Sequence, residues 1–145
     1  MKLPIVMSKP NNFSTQYRIY YEDTDAGGVV YYANYLKFFE RARTDFLRSL
    51  GLSQFELSQK EKLAFVVRKC EIEYFLPAKL DDLIETSVIV ESAKGAIMLM
   101  SQEIKKDGLI LTQLKVEIVC ITSRGFKPRK IPTHLLQLIN GQPRA

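Results

Sequence analysis

The segment from Tyr32 to Leu50 constrains this chain more than any other. Leu36, Phe38, Phe39, Ala42, Phe46, Leu47 and Leu50 recur there at helical spacing. Together they span an arc too wide for a helix that only coats a surface, so other elements must enclose it. Gly51 stands where a left-handed C-terminal cap belongs. The elements available for enclosure are strands. Thr15 to Tyr21 alternates, with Tyr17, Ile19 and Tyr21 on one face and Gln16, Arg18 and Tyr20 on the other. After a short polar helix around Gln54 to Lys60, strand periodicity returns in Phe65 to Phe75, Ile84 to Glu91, Ala96 to Lys105 and Leu109 to Thr122. Lys94-Gly95 and Lys106-Asp107-Gly108 are turn signals, and a short helix near Thr133 to Ile139 closes the chain. One strand, one long apolar helix and an antiparallel run of four strands predict an α+β domain over residues 15–140, its sheet of about five strands packed on the helix. Met1 to Ser14, with two prolines and no period, is expected to be a flexible leader.

Composition narrows the class. At 145 residues with 46% hydrophobic and 26% charged, the chain is neither disordered nor able to supply a span of about 18 apolar residues. Leu3 to Met7 is too short and broken for a signal-peptide core, so a cytoplasmic location is expected. A net charge of +5 favours anionic partners in general. Cys70 and Cys120 fall inside apolar strand patterns with no CxxC spacing, and the single His134 cannot complete a zinc set with them. Two buried free thiols are expected, with no metal and no bound cofactor.

The densest run of unusual residues, Tyr21-Glu22-Asp23-Thr24-Asp25-Ala26-Gly27-Gly28-Val29-Val30-Tyr31-Tyr32-Ala33-Asn34-Tyr35, joins the first strand to the long helix. Asp23, Asp25 and Gly28 fit positions 1, 3 and 6 of a calcium loop. Gly27 and Asn34 then stand where oxygen ligands are needed, so calcium fails. Gly27-Gly28 matches neither phosphate-binding glycine pattern. A third reading follows from geometry. A carboxylate that ends a strand and turns through two glycines into a buried helix comes near N–H groups that have no intrahelical acceptor. Asp25 in that place can attack an acyl carbonyl or activate water against it. The competing reading makes Asp23 and Asp25 turn or cap residues.

This run, with Phe65-Val66-Val67-Arg68-Lys69-Cys70-Glu71-Ile72-Glu73-Tyr74-Phe75-Leu76-Pro77, resembles the 4-hydroxybenzoyl-CoA thioesterase family of hotdog-fold proteins. It is most similar to the Tol–Pal-associated acyl-CoA thioesterases. The likeness covers nearly everything after the leader and extends, with lower specificity, through Lys127-Pro128-Arg129-Lys130. It implies a hotdog fold, a sheet wrapped around a central helix, and hydrolysis of acyl-CoA to free acid and coenzyme A, the latter being part of the substrate. It implies Asp25 as nucleophile or general base, the backbone N–H at Tyr32 as the group that polarises the carbonyl, and Tyr21 as a residue lining the site. Gly27, Gly28 and Val29 belong to the same substrate-binding run. The resemblance implies that members of this group usually carry histidine where this chain has Tyr32 and that hydroxybenzoyl-type members carry tyrosine there; either leaves a backbone donor unaffected. The resemblance also implies a homodimer or tetramer with its cleft between subunits.

Thioester chemistry suits so sparse a site. A thiolate with a conjugate-acid pKa of roughly 8.5 leaves readily, so one carboxylate and one oriented N–H can suffice. Lys94, Lys127 and Arg129, with Arg124 and Lys130, are candidates for the coenzyme A phosphates or for a solvated loop. Glu40 on the helix is a second candidate carboxylate, set against pairing with Arg41 or Arg43. Asp81 and Asp82 read as turn residues. A non-catalytic scaffold that binds acyl-CoA or acyl-carrier protein is the rival from another class. A dehydratase would need a histidine near the site, and nucleic acid has no matching motif.

Overall fold

Strand pairing begins earlier than the alternation suggests. The computed structural model describes residues 12–141, and β1 runs Asn12–Arg18, antiparallel to β3, Leu83–Lys94. Asn12, Phe13 and Ser14, expected in the leader, therefore belong to the sheet; residues 1–11 lie outside the described part. Their pairing partners, Ile89, Val88 and Ser87, are far away in sequence, which is why local periodicity missed them. β2 is Leu63–Tyr74, β4 is Ile97–Lys106 and β5 is Leu109–Thr122. The five strands form one antiparallel sheet in the order β1-β3-β4-β5-β2. Asp107 and Gly108 both take positive φ between β4 and β5, the backbone that a two-residue hairpin turn requires.

The sheet wraps around α1, Tyr35–Ser49, which is led in by a 3-10 turn over Tyr32–Asn34. This α+β arrangement is the hotdog architecture implied by the resemblance. Tyr35, Phe38, Phe39, Ala42, Phe46 and Leu47 are buried against inward-facing Ile84, Val88, Val90, Met98, Met100, Ile104, Leu114 and Val116. Each such side chain contributes roughly 1.5–3 kcal/mol relative to exposure. Burial is not complete around the helix, since Leu36, Lys37, Glu40 and Arg41 stay exposed. Gly51, at φ +82, donates to the Arg48 carbonyl while Leu52 donates to that of Leu47, the paired closure that needs a left-handed residue.

Among the polar side chains buried in this packing, which include Thr86 and Thr112, one joins the helix to the sheet. Gln102, 1% exposed, donates to the carbonyls of Phe39 and Ser87 and accepts from Arg43 at 2.9 Å. It fixes the helix to the sheet where apolar contact alone leaves its rotation free. On the other flank Tyr17 donates to Asp45 at 2.6 Å; burial, then the carboxylate, push its phenol well above the usual tyrosine range.

β2 differs from the other strands. Among the described residues it pairs only with β5, and it is exposed on both faces from Val66 to Glu71. Cys70 is accordingly exposed, against the expectation of two buried thiols, whereas Cys120 is buried. Alternation located the strand correctly, but not its place at the sheet edge. A short helical segment, α2 (Gln54–Glu56) continuing through Leu57–Glu61, precedes β2, and α3 (Thr133–Ile139) packs against β3.

Candidate active site

Between β1 and α1 the two aspartates two positions apart do different work. Asp23 is buried; one carboxylate oxygen accepts from the Tyr20 N–H at 2.8 Å and the other from the Asn34 side-chain amide at 2.9 Å. Its backbone carbonyl accepts from the Tyr31 N–H. Asp23 thus ties the loop to the start of the helix. Asp25 is exposed and sits at the tip of a tight hairpin closed by the Thr24–Val30 bridge. Its backbone accepts from Gly28 N–H and donates to Val29, and one carboxylate oxygen accepts from Gly27 N–H at 2.8 Å. The turn reading of Asp25 is therefore correct, and its second carboxylate oxygen makes no hydrogen bond among the described residues.

The glycines have separate reasons. Gly28 has φ +79, the left-handed step that follows a turn in a three-residue hairpin loop. A side chain on Gly27 would place its first carbon 3.3 Å from the Asp25 carboxylate, crowding the oxygen that Gly27 itself orients. Val29, half-buried, bridges to Lys79, and Val30 donates to the Ala78 carbonyl. Ala78 in turn donates to the buried Tyr35 hydroxyl at 3.0 Å. The loop is thus held on both sides, by Asp23 below and by residues 78–80 above.

Tyr32 opens the helical segment, so its N–H has no intrahelical acceptor. Its carbonyl accepts from the Tyr74 hydroxyl at 2.8 Å, and its ring meets those of Tyr31 and Tyr74. Tyr74 also packs edge-on against Tyr35. Burial raises both the Tyr35 and Tyr74 phenols, and the Asp25 charge adds to the rise at Tyr35. Both hydroxyls therefore remain neutral hydrogen-bond donors at ordinary pH, and Asp25 lies within electrostatic reach of the helix start. Neither Asn34, Tyr35 nor Tyr74 was singled out from sequence. The helical spacing of Tyr35 with Phe38, Phe39 and Ala42 was the available signal for one of them.

Other sequence candidates fall elsewhere. Tyr21 does not continue β1; it begins a 3-10 turn over Tyr21–Asp23 and is 81% exposed, with no ring contact among the described residues. Glu40 makes no ion pair with Arg41 or Arg43 among the described residues. Arg41 lies over the Phe38 ring and Arg43 bonds Gln102. Glu40 and Arg43 line a gutter between α1 and β2, about 310 Å³ on the side of Leu36 and Cys70 and about 370 Å³ on the side of Leu47 and Phe65. Arg129 is spent on the Glu61 carbonyl at 2.7 Å. Lys94 and Lys127 are exposed at the far end of the sheet, near the Gly95–Ile131 and Thr122–Lys127 contacts. Thr112 pairs with Tyr74 and Thr122 with Leu63, so these cations stand roughly 30 Å from Tyr32 at about 3.3 Å per strand residue. Asp82 behaves as the turn residue expected: burial works against its charge, but the Lys106 ammonium at 2.8 Å and the Lys79 N–H outweigh this and hold its carboxyl low.

Comparison with known proteins matches the chain to a family. The sequence profile described as the thioesterase-like superfamily matches residues 20–139. The chain is 47% identical over 122 residues to the acyl-CoA thioesterase YbgC of Haemophilus influenzae, covering 84% of this chain and 90% of that protein. It is 44% identical over 120 residues to the acyl-CoA thioester hydrolase YbgC of Escherichia coli, covering 82% and 89%. The crystal structure of a probable thioesterase from Bartonella henselae superposes with a TM-score of 0.80 at 41% identity, covering 83% of this chain and 99% of that one.

Proposed function

The chain belongs to the thioesterase-like superfamily, and we propose that it hydrolyses the thioester of acyl-CoA to a free carboxylic acid and coenzyme A. The observation that carries this reading is the Asp25 carboxylate. One oxygen is oriented by Gly27 N–H and the other is exposed, on a loop pinned to the helix start that carries the free Tyr32 N–H. The substrate's carbonyl oxygen accepts from that N–H, which offsets the negative charge that develops as the carbon becomes tetrahedral. Asp25 either takes a proton from the attacking water or attacks the carbon itself, giving an anhydride that water then opens. In both routes the C–S bond breaks, the electron pair leaves on sulfur, and the thiolate takes up a proton. Tyr35 and Tyr74 hold the wall; neither supplies a base.

The same reading includes a second copy of the chain. The long, two-sided exposure of β2, with Val66 and Val67 on its surface, favours antiparallel pairing of this edge with its twin. Such pairing sets the Leu63 end of one copy beside the Tyr74 end of the other. Lys127, and beyond it Lys94, are thereby returned toward the Asp25 loop of the neighbour, where the coenzyme A phosphates need cations. Slow turnover by Asp25→Asn provides the test. A structure of that variant with bound acyl-CoA should place the carbonyl oxygen about 3 Å from the Tyr32 nitrogen. A carbonyl bound away from the helix start contradicts the assignment.

A further inference from the structure

Beyond β5 the chain forms a second, smaller hairpin, of which the hydrolytic reading uses Lys127 at the base and leaves the tip unused. Thr122 donates to the Lys127 carbonyl at 2.8 Å and the Lys127 N–H returns to the Thr122 hydroxyl. Ile121 bridges to Pro128. The four residues between, Ser123 to Phe126, are therefore a braced tip. Gly125 has φ +81 and Phe126 φ +50. A left-handed backbone is natural for glycine but a genuine outlier for a bulky residue. Phe126 is nevertheless 75% exposed and makes no ring contact among the described residues, so packing within its own fold does not account for the strain.

The surroundings of this ring are basic. Arg124 shares the tip, and Lys130 lies in the irregular return segment two residues after Pro128. Ser123 donates to the Lys62 carbonyl, which brings Lys62 and Lys60 alongside. All four cations are exposed. Glu61, between Lys60 and Lys62 in the chain, lies 3.0 Å from the His134 ring nitrogen. An aromatic apex over shoulders of Lys and Arg suits the boundary of a negatively charged bilayer, where rings settle at headgroup depth and cations meet lipid phosphate. We propose that the Ser123–Phe126 tip docks the protein on anionic lipid surfaces, with Phe126 entering the interface and Lys60, Lys62, Arg124 and Lys130 contacting headgroups. The inference does not depend on the thioesterase reading.

The test is partition of the full chain onto vesicles of phosphatidylcholine alone and of phosphatidylcholine with a third phosphatidylglycerol. Binding should require the anionic lipid and weaken with added salt. Each cation removed by Lys62→Gln or Arg124→Gln should weaken it about fivefold, the ratio that corresponds to about 1 kcal/mol per basic residue near the surface. Phe126→Asn should weaken it comparably while leaving the thermal midpoint unchanged or higher, since asparagine accepts a left-handed backbone. A lower midpoint with unchanged partition would make Phe126 a structural residue and overturn the proposal. Equal partition onto both vesicles, or none onto either, overturns it as well. So does displacement by free coenzyme A, which would assign this surface to nucleotide phosphates.

Discussion

Asp23 and Asn34, eleven positions apart, are joined by a 2.9 Å hydrogen bond in the protein interior. This contact fixes the Asp25 loop against the helix start, so the proposed function expects it to influence activity without touching substrate. Asn34→Ala leaves a buried carboxylate oxygen unsatisfied and should lower stability by about 1–3 kcal/mol. Turnover measured well below the melting transition should fall with it, because the loop then samples other positions. Thermal melts and thiol-release rates on the same preparations check both expectations.

Tyr32 offers a way to separate a backbone role from a side-chain role. Tyr32→Ala keeps the N–H and should retain kcat within about tenfold, whereas Tyr32→Pro removes the donor and should cost about 10²–10³. The proline is compatible with the fold: it stands at the first helical position, after Tyr31 at φ −62 and ψ 133. Circular dichroism on the proline variant confirms the fold before its rate is read.

The proposed pairing through β2 would make the site a property of two chains. An Asp25→Asn dimer should be nearly inactive, and a Lys127→Glu dimer should show a raised KM. Mixing and re-equilibrating the two variants creates heterodimers with one fully intact site, combining Asp25 of one copy with Lys127 of the other. Activity at low substrate should therefore recover above the average of the separate samples. A mixture that only averages them means that Lys127 acts within its own chain or not at all.

The Asp82–Lys106 contact predicts a pH dependence of stability. Because the folded carboxyl of Asp82 is held below its ordinary value, its contribution is present above the unfolded carboxylate pKa and is lost as pH falls through the folded one. The thermal midpoints of the protein and of Lys106→Met should therefore differ at neutral pH and converge in acid. A gap that persists below the carboxylate range would mean that Lys106 acts by packing instead.

Local signals carried much of this structure. β5 begins at Leu109 and ends at Thr122 as its alternation indicates, α3 spans Thr133–Ile139, and Gly51 caps α1 in the left-handed form. What the sequence could not convey was long-range placement. β1 extends back to Asn12 because β3 is there to receive it. Cys70 reads as buried until β2 is known to be an edge. Tyr21 leaves the strand face because Asp23 captures the Tyr20 N–H and turns the chain. The run from Tyr21 to Tyr35 stood out as a chemical segment with Asp25 as its candidate carboxylate, while the competing turn or cap reading covered Asp23 and Asp25 alike. Only the fold separates the buried Asp23 from the exposed Asp25. The cations suffered most, since Arg129 is committed to Glu61 and the far end of β5 holds Lys127 away from its own Asp25 loop.

The central claim is tested most directly by thiol release from short-, medium- and long-chain acyl-CoA and hydroxybenzoyl-CoA, with the natural chain and Asp25→Asn measured side by side. The account predicts turnover of at least one ester and a fall of about 10²–10⁴ in the variant, with melting behaviour preserved. Equal rates in the two proteins would contradict it and move the chemistry to another group, Glu40 first. Silence across the panel in protein that still binds coenzyme A would contradict hydrolysis of these esters and favour an acyl-CoA-binding scaffold.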